Sequence, residues 1–304
     1  MNWPKLVVMA KGSEMTQKAR GILLIIAAVG CFGAVDGFSK ILIETQSFGQ
    51  IMLARYLPAF AVLLLATGPQ NWRRLFHTNM PGLQIIRGLT PACVGGLMVF
   101  AVHHLPLAEA TVILFAGPFF VVALSGWMLG ERVATSSWIG VAIGFLAVLL
   151  VARPGFDALS QYTVFPALAA VFYALLQLFS RRLGAAGEKA GTTLAWTLLA
   201  GSLVSLLPAA MDWRTPTPLD WLVLLCLGAT FGLGQYCLAK AFALAPANVL
   251  TPFTYFQILS AAIFGVIVFH DIPDLWTLAG TALILVAGAY VFGRSAVSPD
   301  SARD

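Results

Sequence analysis

Ten apolar runs, each close to the length of a membrane span, fill nearly the whole sequence and are separated by short polar breaks. They fall at about 20–39, 49–67, 84–104, 107–129, 136–153, 163–181, 191–211, 219–239, 247–269 and 274–293. A helix needs about 20 apolar residues to cross the hydrocarbon core. Helices satisfy their backbone groups internally in lipid, whereas a barrel would show short alternating strands. The pattern therefore predicts an all-α membrane protein of ten transmembrane helices. Charged residues are only 10% of the chain, too few to coat a soluble surface of this size. That excludes a soluble enzyme, a nucleic-acid-binding module and a disordered chain as readings.

Lys and Arg gather in alternate segments. With the N-terminus inside, the inner segments hold fourteen, Arg87 counted among them, and the outer segments three, Lys40, Arg153 and Arg214. Arg55 falls within a span. The positive-inside rule then places both termini in the cytoplasm. The +5 net charge is the same bias and does not indicate nucleic acid. Residues 1–19 read as a basic cytoplasmic tail with no structure before Met15, which is an alternative start, and 295–304 as a second tail. Cys31, Cys93, Cys226 and Cys237 lie in apolar runs and read as free thiols.

The two halves repeat each other. Ala27-Ala28-Val29 with Phe38-Ser39-Lys40 resembles Ala169-Ala170-Val171 with Phe179-Ser180-Arg181. Leu107-Ala108-Glu109-Ala110 resembles Leu244-Ala245-Pro246-Ala247, and Glu131 with Gly140 resembles Asp271 with Gly280. The units are 20–155 and 163–294, of five spans each. An odd number of spans inverts the second copy, and inverted repeats are a mark of secondary transporters with a midplane site between the copies. Gly33/Gly37, Gly140/Gly144 and Gly228/Gly232 carry the small-residue spacing of close helix contacts.

Leu105-Pro106-Leu107-Ala108-Glu109-Ala110-Thr111, the central Pro118, Gly130-Glu131-Arg132, Gly140 and Arg87-Gly88 together resemble the EamA-type branch of the drug/metabolite transporter superfamily. Asp36-Gly37-Phe38-Ser39-Lys40 followed by Ala54-Arg55-Tyr56 is similar to bacterial carriers for S-adenosylmethionine and for riboflavin, which are uptake systems. The resemblance implies a multi-pass carrier of the bacterial inner membrane. It moves a small organic metabolite by alternating access, with a lean to uptake of such a heterocycle. Export of amino acids or drugs is the alternative within the family, and a membrane-embedded enzyme is a remote one. No catalytic set, metal triad or nucleotide-binding loop is legible. No cofactor or metal is expected; the expected partners are a small-molecule substrate and the lipid bilayer, with a monomer or a dimer both open.

Asp36 and Arg55 stand at comparable depth, roughly 6 and 9 Å of helix rise from the same side. Ionised groups in the hydrocarbon usually face the interior and find a partner. Two readings stay open: a pair that grips substrate or gates the vestibule, and a snorkelling Arg55 beside a structural Asp36. Gln177 occupies the position of Asp36 in the second repeat, and Gln257 is a further buried polar candidate. Phe115, Pro118 and Phe119 in span four, Tyr173 in span six, Tyr236 in span eight and Tyr255 in span nine are candidates for stacking against a flat cargo. Asp36, Glu109 and His103 are candidates for proton coupling; for Glu109, support of a helix start is the competing reading. Glu131 reads as an inner-surface partner of Arg132 or Arg87.

Overall fold

The structure is a computed structural model. It describes residues 3–117, 161–244 and 253–286 apart from 255, 271 and 284, with scattered positions between 119 and 150 and at 250; side chains are described from Ala19 onward. Among the described residues the fold is helical throughout, without strands. The helices are α1 (Trp3–Leu42), α2 (Phe48–Thr67), the short α3 (Trp72–Leu75), α4 (Pro81–His104) and α5 (Leu107–Leu114), then α6 (Val164–Ala185), α7 (Ala190–Met211), α8 (Pro218–Leu244) and α9 (Phe256–Phe264). Six of them, α1 from Ala19, α2, α4, α6, α7 and α8, are long and apolar enough to cross a membrane. Most of the fifth span and part of the fourth lie outside the described residues.

Several boundaries differ from the sequence reading. Helix α1 begins at Trp3, so backbone order reaches well before Met15. Helix α4 begins at Pro81, where proline fits the first turn because its missing N–H is unbonded there anyway. Helix α8 continues to Leu244, since nothing in its Lys240-Ala241-Phe242 turn breaks a helix.

Local chemistry sets the starts. Ser47 and Gln50 form a capping box: Gln50 N–H donates to Ser47 Oγ at 3.3 Å and Ser47 N–H to Gln50 Oε1 at 3.4 Å. Thr217 and Asp220 repeat the device at α8, with bonds of 3.2 and 3.0 Å. At the end of α9 the helix widens into a π-turn at Gly265–Phe269 and stops at His270, whose φ of 58° is left-handed.

The packing bears the imprint of the duplication. Helix α1 packs on α8, α4 on α6, and α2 on α7. Exchanging α1 with α6, α2 with α7 and α4 with α8 turns the first contact into the second and leaves the third unchanged. The same exchange relates α2·α8 to α4·α7 and, with α5 exchanged for α9, α1·α9 to α5·α6. The related helices run in opposite directions. Helix α1 ends where α2 and α8 begin, since Thr45 donates to Asp220 at 3.0 Å and Gln50 Nε2 to the Arg214 carbonyl at 2.7 Å. Helix α6 ends at the other end of the bundle, where Asn79 N–H donates to Glu188 at 2.9 Å just before α4.

Glycines allow the close approaches. A Cβ on Gly228 would lie 2.5 Å from the Ala54 carbonyl, and one on Gly33 2.5 Å from Ser260 Oγ, so these spaced glycines sit at helix contacts. Gly140 and Gly144 lie outside the described residues. The surface around the bundle is apolar, with Leu65, Leu207 and Ile267 largely exposed. Such a belt matches a lipid environment.

Candidate substrate cavity

A cavity opens between α1, α2, α4, α6, α8 and α9. Its wall includes Phe32, Val35 and Asp36 of α1, Arg55 of α2, Pro91 and Gly95 of α4, Tyr173 of α6, Phe231 and Gln235 of α8 and Gln257 of α9. Its volume is only about 40 Å³. Pockets for drug-sized ligands are roughly 300–1,000 Å³, so in this conformation the space is too small for one.

Asp36 and Arg55 are brought together in that wall. Arg55 Nη2 lies 3.5 Å from Asp36 Oδ1, with both residues buried. The same nitrogen donates to Ser39 Oγ at 2.7 Å, and Ser39 in turn donates to the Val35 carbonyl at 2.7 Å. Helix α4 makes room for the guanidinium by having no side chain at Gly95: a Cβ there would lie 2.7 Å from Arg55 Nη1. The Gln257 carboxamide faces the Asp36 carboxylate from α9.

The remaining walls are aromatic and polar but uncommitted. Among the described residues, Arg55 Nε, the Tyr173 hydroxyl, Gln257 Oε1 and both amide atoms of Gln177 are buried without a hydrogen-bond partner. Buried polar groups are nearly always bonded, so the open ones of Arg55, Tyr173 and Gln257, which line the cavity, mark valence available to a solute; Gln177 is buried but does not line it. Phe231 stacks edge-on against Tyr56 at 4.8 Å, and Phe32 lies 6.3 Å from Phe231.

Other candidates from the sequence are placed elsewhere. Phe115 is buried in a second apolar cluster with Val112 and Ile113 and meets the Tyr173 ring edge-on at 6.2 Å, behind the cavity wall. Phe119 is buried but does not line the cavity. Tyr236 is turned to the outside, beneath the Lys240 ammonium at 5.2 Å. Gln235 takes the inward direction on that turn, and the next residue on a helix points about 100° away. His103 is exposed at the end of α4 and packs on His104, whose ring stacks on Tyr162 at 3.7 Å. Glu109 lies in the first turn of α5, the placement that complements a helix N-terminus. Pro118, Tyr255 and Glu131 fall outside the described residues. Among the described residues no cluster of three metal-ligating side chains exists.

Arg87 is the residue the sequence reading misplaced. Counted as an inner-segment cation, it is instead fully buried in α4. It donates to Ser180 Oγ at 3.2 Å, to Gln235 Oε1 at 3.3 Å and to Thr197 Oγ1. The signal was its position inside an apolar run, where an ionisable residue is by default a functional one.

The comparisons with known proteins agree with this architecture. The chain matches the model of the EamA-like transporter family twice, over residues 19–153 and 162–293. It is 27% identical over 231 residues to the S-adenosylmethionine uptake transporter of Rickettsia bellii, covering 76% of this chain and 79% of that one. It is 28% identical over 269 residues to the pseudopaline exporter CntI of Pseudomonas aeruginosa, covering 88% and 94%. It is 26% identical over 278 residues to the riboflavin transporter of Vibrio cholerae, covering 90% and 92%. A crystal structure superposes with a TM-score of 0.64 at 20% identity, covering 95% of this chain and 99% of that one, which speaks for the fold alone. A tandem family match over most of the chain, on a bundle whose packing repeats itself, identifies this protein as a member of the EamA-like transporter family.

Proposed function

We propose that this chain is a secondary carrier that takes up a small zwitterionic heterocycle of the S-adenosylmethionine type by alternating access. The observation that carries the reading is the Asp36–Arg55 pair in the wall of the cavity. A cargo with an α-amino acid end exchanges one ion pair for two, its ammonium on Asp36 and its carboxylate on Arg55. Dissolving a buried pair is costly unless both charges are met again, so a zwitterion suits the site better than an uncharged ring such as riboflavin. The Tyr173, Phe32 and Phe231 faces suit an adenine ring and attract a sulfonium cation. The likeness to an uptake transporter named for S-adenosylmethionine supports the same cargo.

The end of the bundle bearing Arg73, Arg74, Arg181 and Arg182 is the cytoplasmic one in this reading, with both termini on that side of the inner membrane. Of the residues considered for proton coupling, Asp36 is the one that lines the cavity, and it is the proposed coupling group.

The test is thermal stability of the detergent-purified protein with S-adenosylmethionine, S-adenosylhomocysteine and riboflavin, followed by uptake of the labelled ligand into proteoliposomes. A ligand at 100 times its dissociation constant adds about 2.7 kcal/mol to the folded state. The expected result is a saturable shift with S-adenosylmethionine that disappears in Asp36→Asn. A shift with riboflavin alone overturns the zwitterion reading. Filling of vesicles in the efflux direction only overturns uptake in favour of export.

A further inference from the structure

The repeat relation carries Asp36 onto Gln177 and Ser39 onto Ser180 at one common offset. The two serines are anchored alike: Ser39 Oγ donates to the Val35 carbonyl at 2.7 Å, and Ser180 Oγ to the Leu176 carbonyl at 2.6 Å. Each then accepts from a buried guanidinium. Arg55 reaches Ser39 from α2, the next helix of its own repeat. The matching stretch of α7 carries Trp196 and Thr197 and offers no arginine. The cation at Ser180 comes across the repeat boundary, as Arg87 of α4, which also donates to Thr197 and Gln235.

The seats match in geometry and differ in charge. At the first, Arg55 faces Asp36. At the second, Gln177 replaces the carboxylate, is 3% exposed, and has both amide atoms unpartnered among the described residues. The described partners of Arg87 are two hydroxyls and a carboxamide. Ser39 lies near the C-terminal end of α1 and Ser180 near that of α6, at opposite ends of the bundle. Gln235 lines the cavity and also holds Arg87, so it joins the two seats.

We propose that Arg87, with Ser180, Thr197, Gln235 and Gln177, forms a second, anion-binding station that receives the cargo's carboxylate when access reverses. The inference rests on the alternating-access reading above. Inverted repeats reach their second state by exchanging conformations, so the environment that Ser39 has now becomes that of Ser180. The first station holds a zwitterion; the second holds its anionic end.

The test needs no cargo. In the full chain with the four cysteines replaced by serine, Ser180→Cys and Ser39→Cys are labelled in vesicles from each side with methanethiosulfonate reagents. One reagent carries a sulfonate and one a trimethylammonium, and rates are normalised to a free thiol. Ser180→Cys is expected to react from the side bearing Arg73 and Arg74, about tenfold faster with the sulfonate, the sense of one unbalanced cation a few Å away. Arg87→Gln removes the preference and Arg87→Lys keeps it. Ser39→Cys reacts from the opposite side without such a preference, because Asp36 balances Arg55. A preference that survives Arg87→Gln overturns the station, as does a Ser180→Cys thiol that stays inert while Ser39→Cys reacts. If neither thiol reacts from either side, alternating access itself fails. If S-adenosylmethionine fails to shift the wild type, the choice of cargo alone fails.

Discussion

The seat at Ser39 and the seat at Ser180 descend from one ancestral sequence, yet they hold their arginines differently. The first takes both its cation and its carboxylate from a single repeat and is balanced in charge. The second borrows its cation from the other repeat and has an amide where the first has a carboxylate. What duplication preserved is the backbone-anchored hydroxyl, which any packing of two helices in this register can use. What it did not preserve is the ion pair: Gln177 stands where the first repeat has Asp36, and Trp196 where it has Arg55. The ends of the bundle show the same division. At one end Asp220 and Gln50 tie the α1–α2 loop to the start of α8 and to Arg214; at the other Glu188 ties the start of α4 to the α6–α7 loop.

The comparison breaks most readily at Asp36 and Gln177. Asp36→Ala leaves the Arg55 charge buried without its carboxylate, so about 3–5 kcal/mol of stability is lost, and transport with it. Gln177→Ala removes atoms without partners among the described residues, so stability is expected to stay within about 1 kcal/mol of wild type while ligand binding weakens. Thermal unfolding of the two purified variants, with uptake measured alongside, decides this. Equal destabilisation means the seats are not different in kind.

A glycine from each seat's surroundings sharpens it. Gly95→Ala forces a methyl onto Arg55 and is expected to cost about 1–3 kcal/mol. Gly184→Ala, whose new methyl meets nothing nearer than 3.7 Å, is expected to gain about 0.4–1 kcal/mol from reduced freedom of the unfolded chain. Melting temperatures that move the same way for both would show that crowding at Arg55 is not what Gly95 relieves.

Smaller effects belong to the ends. Ser47→Ala and Thr217→Ala each remove one half of a capping box and are expected to cost about 1 kcal/mol apiece. The smallest is Tyr236→Leu, on the outer face, with a change under about 0.5 kcal/mol and unaltered uptake. A clear loss of uptake there would place the cargo path on the other side of α8.

Much of the architecture is legible in apolar run lengths. Helices α2, α6 and α7 begin and end within a few residues of their runs, because a span's length is fixed by the bilayer and its ends by caps such as Ser47 and Gln50. Asp36 and Arg55 are legible as a candidate pair because they stand at comparable depth on consecutive spans; that they do pair, the structure shows. Arg87 is not, since charge counting treats an arginine six residues past a helix start as a loop residue. Tyr236 is not either, because one residue decides whether a helical side chain meets a cavity or lipid, and that decision belongs to the neighbouring helix.

By itself the sequence determined the environment, the helical class, the repeat and the comparable depth of Asp36 and Arg55. These follow from local quantities: transfer of side chains into hydrocarbon, backbone hydrogen bonding within each span and the count of spans per repeat. The tertiary structure alone decided that α4 delivers Arg87 into the second repeat, that Gln235 rather than Tyr236 faces the cavity, and that Phe115 stands behind its wall. Those outcomes depend on how one helix is rotated against another. Rotation is set by side chains distant in sequence, such as Gly95 yielding to Arg55 and Gly228 to the Ala54 carbonyl.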